Sequence, residues 1–174
     1  MLAGAGGEKG GFVAYRVFLS HSALDGELVA GIKAQIEVLG ISVYLYEEHS
    51  EPGRSVTAKL QEAIRTSDAL LALVTPSSAS RTYVHQEIGY ALGQGKPAVA
   101  IVTPGVDAQV LAMLSDGEYV HLDPVSPLIG MSTLLEFLQQ QTAARRQKEQ
   151  EELLLAMAVI ALLLIAAYSS SKAG

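Results

Sequence analysis

The sequence predicts an α/β protein built on a five-stranded parallel β-sheet with helices on both faces. Three observations carry that class. β-rich runs alternate with helically spaced apolar stripes from residue 12 to residue 122, and strict alternation of this kind builds right-handed crossovers between parallel strands. One run, Ala69-Leu70-Leu71-Ala72-Leu73-Val74, is apolar without interruption, the pattern of a strand covered on both faces. The length of 174 residues holds one domain with a full-sized core and a short appendage.

Residues 1–11, rich in glycine and without an apolar core, read as a flexible lead and not as a secretory signal. The first strand is predicted over 12–19 from Phe12, Val13, Tyr15, Val17, Phe18 and Leu19, and Ser20-His21-Ser22 breaks it. Ser22 with Asp25 three residues later resembles a capping box. Leu28, Val29, Ile32, Ile36 and Leu39 then recur at helical spacing as far as Gly40, which predicts a helix over 23–39. Residues 41–46 are β-rich and give a second strand. The polar loop after it carries Glu47, Glu48, Glu51, Pro52-Gly53 and Arg54, and Pro-Gly demands a turn. Val56, Leu60, Ala63 and Ile64 mark a second helix over 55–66, and 69–74 is the central strand. A third helix over 83–92 ends at Gly93 or Gly95. Residues 98–102 form a fourth strand, 107–115 a weak helix and 119–122 a fifth strand.

Beyond Pro124 and Pro127 the pattern changes. Residues 128–141 look helical, 143–152 are charged, and 153–168 are apolar apart from Tyr168. This stretch explains an apolar share of 49%, high for a soluble chain. Residues 153–171 are 19 consecutive uncharged residues, about 28 Å as a helix and close to one bilayer core. They are apolar all round, which favours a membrane span over a striped helix buried between subunits. Arg145, Arg146 and Lys148 precede the span and only Lys172 follows it, so the folded domain is expected on the cytoplasmic side of a single C-terminal anchor.

Charge and composition exclude several functions. With 12 basic against 18 acidic residues, a net charge of −6 and no isolated Lys/Arg cluster, nucleic acid is not an expected partner. The absence of cysteine removes disulfides, thiolate catalysis and Cys-based zinc sites. Gly93-Gln94-Gly95-Lys96 lacks the upstream glycine and the Ser/Thr of a phosphate loop, and no Gly-x-Ser-x-Gly elbow occurs. His21, His49, His85 and His121 show no metal-ligand spacing to one another. Where a phospho-receiver of this topology carries acids, this chain has Ser20-His21-Ser22 and Thr75-Pro76-Ser77. No metal and no resident cofactor are expected.

The third helix carries the chemistry. Val84, Ile88, Ala91 and Leu92 form a stripe expected to be buried, while Tyr83, Glu87 and Tyr90 share another face. A carboxylate between two aromatic rings suits either an ordinary half-exposed surface or a ligand face, and ligands of α/β sheets bind beyond the strand C-termini.

Val17-Phe18-Leu19-Ser20-His21-Ser22 with Asp25, Glu51-Pro52-Gly53, Ser67-Asp68 and Tyr83-Val84-His85-Gln86-Glu87-Ile88 together resemble the bacterial branch of the Toll/interleukin-receptor (TIR) domain family over residues 14–122. The resemblance implies a flavodoxin-like sheet, self-association into homo-oligomers through the loop at 46–56, and NAD⁺ as substrate of a nicotinamide-releasing reaction. It also implies that Glu87 is the catalytic glutamate, four residues after an aromatic that is Tyr83 here and commonly Trp in the family. An arginine that some animal members carry just after the first strand is replaced by Ser22.

The chemistry agrees. Breaking the nicotinamide–ribose bond expels a neutral group from a cationic ring, so one carboxylate near the ribose suffices to stabilise the oxocarbenium-like charge. Tyr83, one helical turn from Glu87, offers the base a stacking face. Ser20, His21 and Ser22 would line the same crevice, and Arg54 would neutralise a diphosphate or serve assembly. The expected organisation is a lead (1–11), a TIR domain (12–125), a helical charged connector (126–152) and a transmembrane helix (153–171). The expected function is membrane-tethered NAD⁺ cleavage in bacterial antiphage signalling, as NAD⁺ glycohydrolase or ADP-ribosyl cyclase. The alternative is a non-catalytic TIR scaffold that assembles with other TIR domains at a membrane.

Overall fold

The computed structural model describes residues 14–46, 55–78, 83–107 and 118–172. The chain divides into two compact units, residues 1–134 and 135–174.

The first unit holds the sheet. Its strands are β1 (Arg16–Ser20), β2 (Ser42–Tyr44), β3 (Ala69–Val74), β4 (Ala98–Val102) and β5 (Glu118–His121). They lie in the order β2-β1-β3-β4-β5 and every pair is parallel. The helices are α1 (Gly26–Val38), α2 (Val56–Thr66), α3 (Tyr83–Gly93) and α4 (Leu128–Lys172). The predicted class and all five strands are present. Residues 108–117, which include most of the helix expected at 107–115, lie outside the described residues.

Strand parity decides which side chains meet which helices. Phe18, Leu70 and Ala98 pack with Ala63 and Ile64 of α2 and Ala91 of α3. Val74, Ala100 and Val102, of the same parity, pack with Ile88 of α3. Residues of the other parity, Val17, Leu19, Leu71, Leu73, Val99 and Ile101, are buried to the same degree, so the second face is covered too. That is why β3 and β4 are apolar at every position: a strand between two covered faces has no solvent side to make polar.

Local chemistry sets the ends. Ser55 Oγ accepts a hydrogen bond from Ala58 N at 3.1 Å and caps α2. At the far end of α2, Lys96 Nζ donates to the Arg65 carbonyl at 2.6 Å and to the Ser67 carbonyl, satisfying acceptors the helix leaves open. Helix α3 stops where Lys96 N bonds to Ala91 O (3.0 Å) and Gly95 N to Leu92 O (2.9 Å). Gly95 sits at φ +68, the left-handed position of a Schellman cap, so Gly95 and not Gly93 is the cap.

Three local expectations are corrected. The Ser22–Asp25 pair does not close as a reciprocal capping box. Ser22 Oγ accepts from Leu24 N at 3.4 Å to cap a short 3-10 turn (Ala23–Asp25), while the Asp25 side chain makes no cap hydrogen bond to α1. Leu92 is exposed, because the sheet covers a narrower arc of α3 than the apolar spacing suggests. The second strand is shorter than 41–46, since β2 is an edge strand paired with β1 over only Arg16–Phe18.

Helix α4 begins in the first unit. Gly130 lies where a Cβ would stand 2.3 Å from the His121 carbonyl oxygen and 2.9 Å from Leu122 Cα, a backbone approach that only glycine permits. In the second unit α4 continues unbroken, so the charged stretch and the apolar stretch form one helix. Arg145 pairs with Glu149 (2.8 Å) and Gln147 donates to Glu151 (2.9 Å), i, i+4 contacts that support the charged stretch of the helix. All described side chains from Leu153 to Ser171 are exposed. Among the described residues α4 is the one helix long and apolar enough to cross a membrane.

Candidate active site

Ser20 has the parity of Phe18, so its side chain emerges at the C-terminal end of β1 on the face covered by α2 and α3. There its hydroxyl donates a hydrogen bond to the Glu87 carboxylate across 67 residues of sequence. The glutamate is 7% exposed. Burial pushes its carboxyl above the usual range, while the Ser20 hydrogen bond and the nearby His21 oppose that rise. His21 is itself fixed, with Nδ1–H donating to the Leu19 carbonyl at 3.1 Å.

A cavity of about 250 Å³ adjoins the carboxylate between α2 and α3. Leu60 and Ile64 of α2 and Tyr90 of α3 form apolar wall, and Thr57, Gln61 and Gln86 add neutral polar groups.

A polar knot frames the crevice from the other side. Asp25 accepts from Thr75 Oγ1 at 3.1 and 3.2 Å and from Ser77 Oγ at 3.3 Å. Ser78 Oγ accepts from Thr75 N at 2.8 Å. The loops after β1 and β3 are thereby joined over the strand ends, the place where parallel α/β sheets bind ligands.

Residues 17–126 match the sequence model of the TIR domain, more than half of the chain. The chain belongs to the TIR domain family. A probable 3' cyclic ADP-D-ribose synthase, ThsB', of Bacillus cereus (strain MSX-D12) is 30% identical to it over 132 residues, covering 72% of this chain and 66% of the relative. The fold is also that of two solved structures. The TIR-STING receptor of C. gigas in complex with 2',3'-cGAMP superposes with a TM-score of 0.57 at 18% identity over 71% of this chain and 39% of its own. The CMP N-glycosidase BcmB of Clostridium botulinum superposes at 0.51 and 18% identity over 70% of this chain and 98% of its own.

Of the residues singled out in the sequence, the TIR fold brings Ser20, His21 and Glu87 together. Ser22 is buried and its hydroxyl is engaged as a cap. Tyr83 opens α3, with its side chain outside the described residues, as are Arg54 and most of the 46–56 loop. Of the two alternatives the sequence left for Glu87, burial excludes an ordinary half-exposed surface. Three sets of residues escaped the sequence. Tyr90 was visible on the Glu87 face but without a role. Thr57 and Gln61 carry no local signal and Leu60 showed only as part of the apolar stripe of α2, since only helix packing sets them beside Glu87. Asp25 was visible as a cap, whereas its partner Thr75 lies 50 residues away. Ser67-Asp68 lies at the opposite end of the sheet, where the Asp68 carboxylate accepts from Arg16 N at 2.7 Å, a structural bond between β1 and β3.

Proposed function

We propose that this TIR domain cleaves NAD⁺ at its nicotinamide–ribose bond, with Glu87 as the catalytic carboxylate, and that its apolar C-terminal segment tethers it to a membrane. The observation that carries the reading is the buried Glu87 carboxylate, held by Ser20 at the strand ends and facing a cavity. A buried carboxylate is costly to keep for stability alone, and such perturbed groups cluster at functional sites. The name of the Bacillus cereus relative supports the substrate class.

The C1'–N bond breaks with its electron pair going to the ring nitrogen, so the pyridinium leaves as neutral nicotinamide and needs no acid. The positive charge left on the ribose lies against Glu87, where low local dielectric makes one carboxylate effective. Water then attacks C1' to give ADP-ribose and a proton, or a hydroxyl of the ADP-ribosyl group closes a cyclic product. Both outcomes share the Glu87 step. Tyr83 stacks on the base in this reading, Ser20 positions the carboxylate, and His21, Ser22 and Arg54 serve ribose and diphosphate. A homo-oligomer formed through TIR–TIR contacts at a bilayer raises local concentration, consistent with antiphage signalling of the kind implied by the bacterial family.

The test follows nicotinamide release from NAD⁺ by the full chain in liposomes, beside Glu87→Gln. We expect the variant to lose at least about a hundredfold in rate. Equal release from both would remove Glu87 from the mechanism, and no release from either, even when clustered, would favour the scaffold.

A further inference from the structure

The uncharged stretch of α4 is not equally apolar along its length. From Leu153 to Ala167 every side chain is hydrocarbon or thioether, Tyr168 follows, and Ser169, Ser170 and Ser171 close the run before Lys172. Leu153–Tyr168 is 16 residues of unbroken helix, about 24 Å long. A typical hydrocarbon core is about 30 Å thick, so the apolar stretch falls short of it by about one helical turn.

Its two ends differ in how far they yield. At the N-terminal end Glu149, Glu151 and Glu152 stand within about one turn of Leu153. Arg145 Nε donates to Glu149 at 2.8 Å and Gln147 Nε2 to Glu151 at 2.9 Å. Both donors lie one turn farther from the apolar stretch, so these carboxylates are drawn away from lipid. Acidic side chains are too short to reach an interface from within the hydrocarbon, which makes this a sharp boundary. The C-terminal end is softer. Tyr168 suits the headgroup level, Ser169 Oγ donates to the Ala166 carbonyl at 2.8 Å, and the Lys172 stem snorkels toward the interface. A serine hydroxyl satisfied inside its own helix costs less to draw toward lipid.

Resting on the membrane tether proposed above, we propose that the partner of this helix is a lipid bilayer with a thin hydrocarbon core, built from short acyl chains. All described side chains of the stretch are exposed and none of its most apolar window is buried, so the whole circumference is available to lipid. A thicker bilayer must thin around the helix or draw the serines inward, and each response costs in proportion to the mismatch. A thin bilayer covers Leu153–Tyr168 without either. The thickness of the membrane thereby becomes a determinant of where the chain resides.

The test synthesises the full chain cell-free in the presence of dimyristoleoyl-, dioleoyl- or dierucoyl-phosphatidylcholine vesicles, whose acyl chains lengthen in that order, and measures the carbonate-resistant fraction. We expect insertion into the first to exceed insertion into the last by at least about threefold. A variant carrying Ser169→Leu, Ser170→Leu and Ser171→Leu extends the apolar stretch by about 4.5 Å, and its best-populated vesicle is expected to move toward longer chains. Equal insertion at all three chain lengths, or an unmoved optimum in the triple variant, overturns the thickness preference and leaves the tether standing. No insertion into any of the vesicles overturns the tether and the preference with it, and a soluble oligomer of the full chain would then identify the helix as one buried between subunits.

Discussion

Glu87 and Ser20 form a hydrogen-bonded pair in which the hydroxyl favours the charged form of the carboxylate. Burial raises the carboxyl of Glu87 and the Ser20 hydroxyl opposes it, so removing the hydroxyl should raise it further. For a reaction that uses the carboxylate, the acid limb of the pH–rate profile of Ser20→Ala should move to higher pH. We expect about a tenfold loss near pH 5, the worth of one hydrogen bond to a charged group, with a smaller loss near pH 8. A uniform loss across the profile would reduce Ser20 to packing. The same shift bears on stability. The folded state binds the Glu87 proton more tightly than the unfolded chain, so this contribution is full below the ordinary value of 4.5 and is lost as pH rises through the folded value. Glu87→Gln, neutral throughout, should therefore melt above the wild type at pH 7, and the advantage should vanish near pH 4. Circular-dichroism melts at both values check this, and a variant less stable at pH 7 would contradict it.

At the level of elements, the site depends on how helices approach the sheet. Helices α2 and α3 share one face and enclose the cavity, and the Asp25–Thr75–Ser77 knot ties the loops that bound the crevice. The first turn of α4 is seated by contact of Gly130 with the backbone of β5. Gly130→Ala would force the helix off the His121 carbonyl, at a cost of about 1–3 kcal/mol. A urea midpoint unchanged from the wild type would show that α4 shifts without penalty. Elements were legible in the sequence where their pattern was strong. The span 69–74 was readable from its unbroken apolar run, while the end of α3 was narrowed to Gly93 or Gly95 and decided only by the positive φ of Gly95. Leu92 and the short β2 were not legible, because local spacing does not report how wide a neighbouring sheet is or whether a strand lies at its edge.

The whole molecule joins a TIR domain to a helix with all of its described apolar side chains from Leu153 to Tyr168 exposed. Such a surface is far larger than a soluble monomer normally leaves in water. Under the proposed membrane tether, full-length protein should partition with membranes and a variant ending at residue 152 should stay soluble. Activity per subunit should rise with surface density in liposomes but depend only on concentration in the truncated form. A full-length chain as soluble as the truncated one would exclude anchoring by the tail.

What the sequence determined by itself was the α/β class, the order of the described strands and helices and the apolar tail, and it put Glu87 forward as the candidate. Each of these is a local pattern or a motif read along the chain. The tertiary structure alone decided that the Glu87 carboxylate is buried, that Ser20 holds it, and that Asp25 binds Thr75 instead of capping its own helix. It also decided that Leu60, Gln61 and Tyr90 share a cavity with the carboxylate. These facts depend on strand order and helix packing between residues tens of positions apart, and burial changes the energy of a charge in a way that spacing along the chain does not encode.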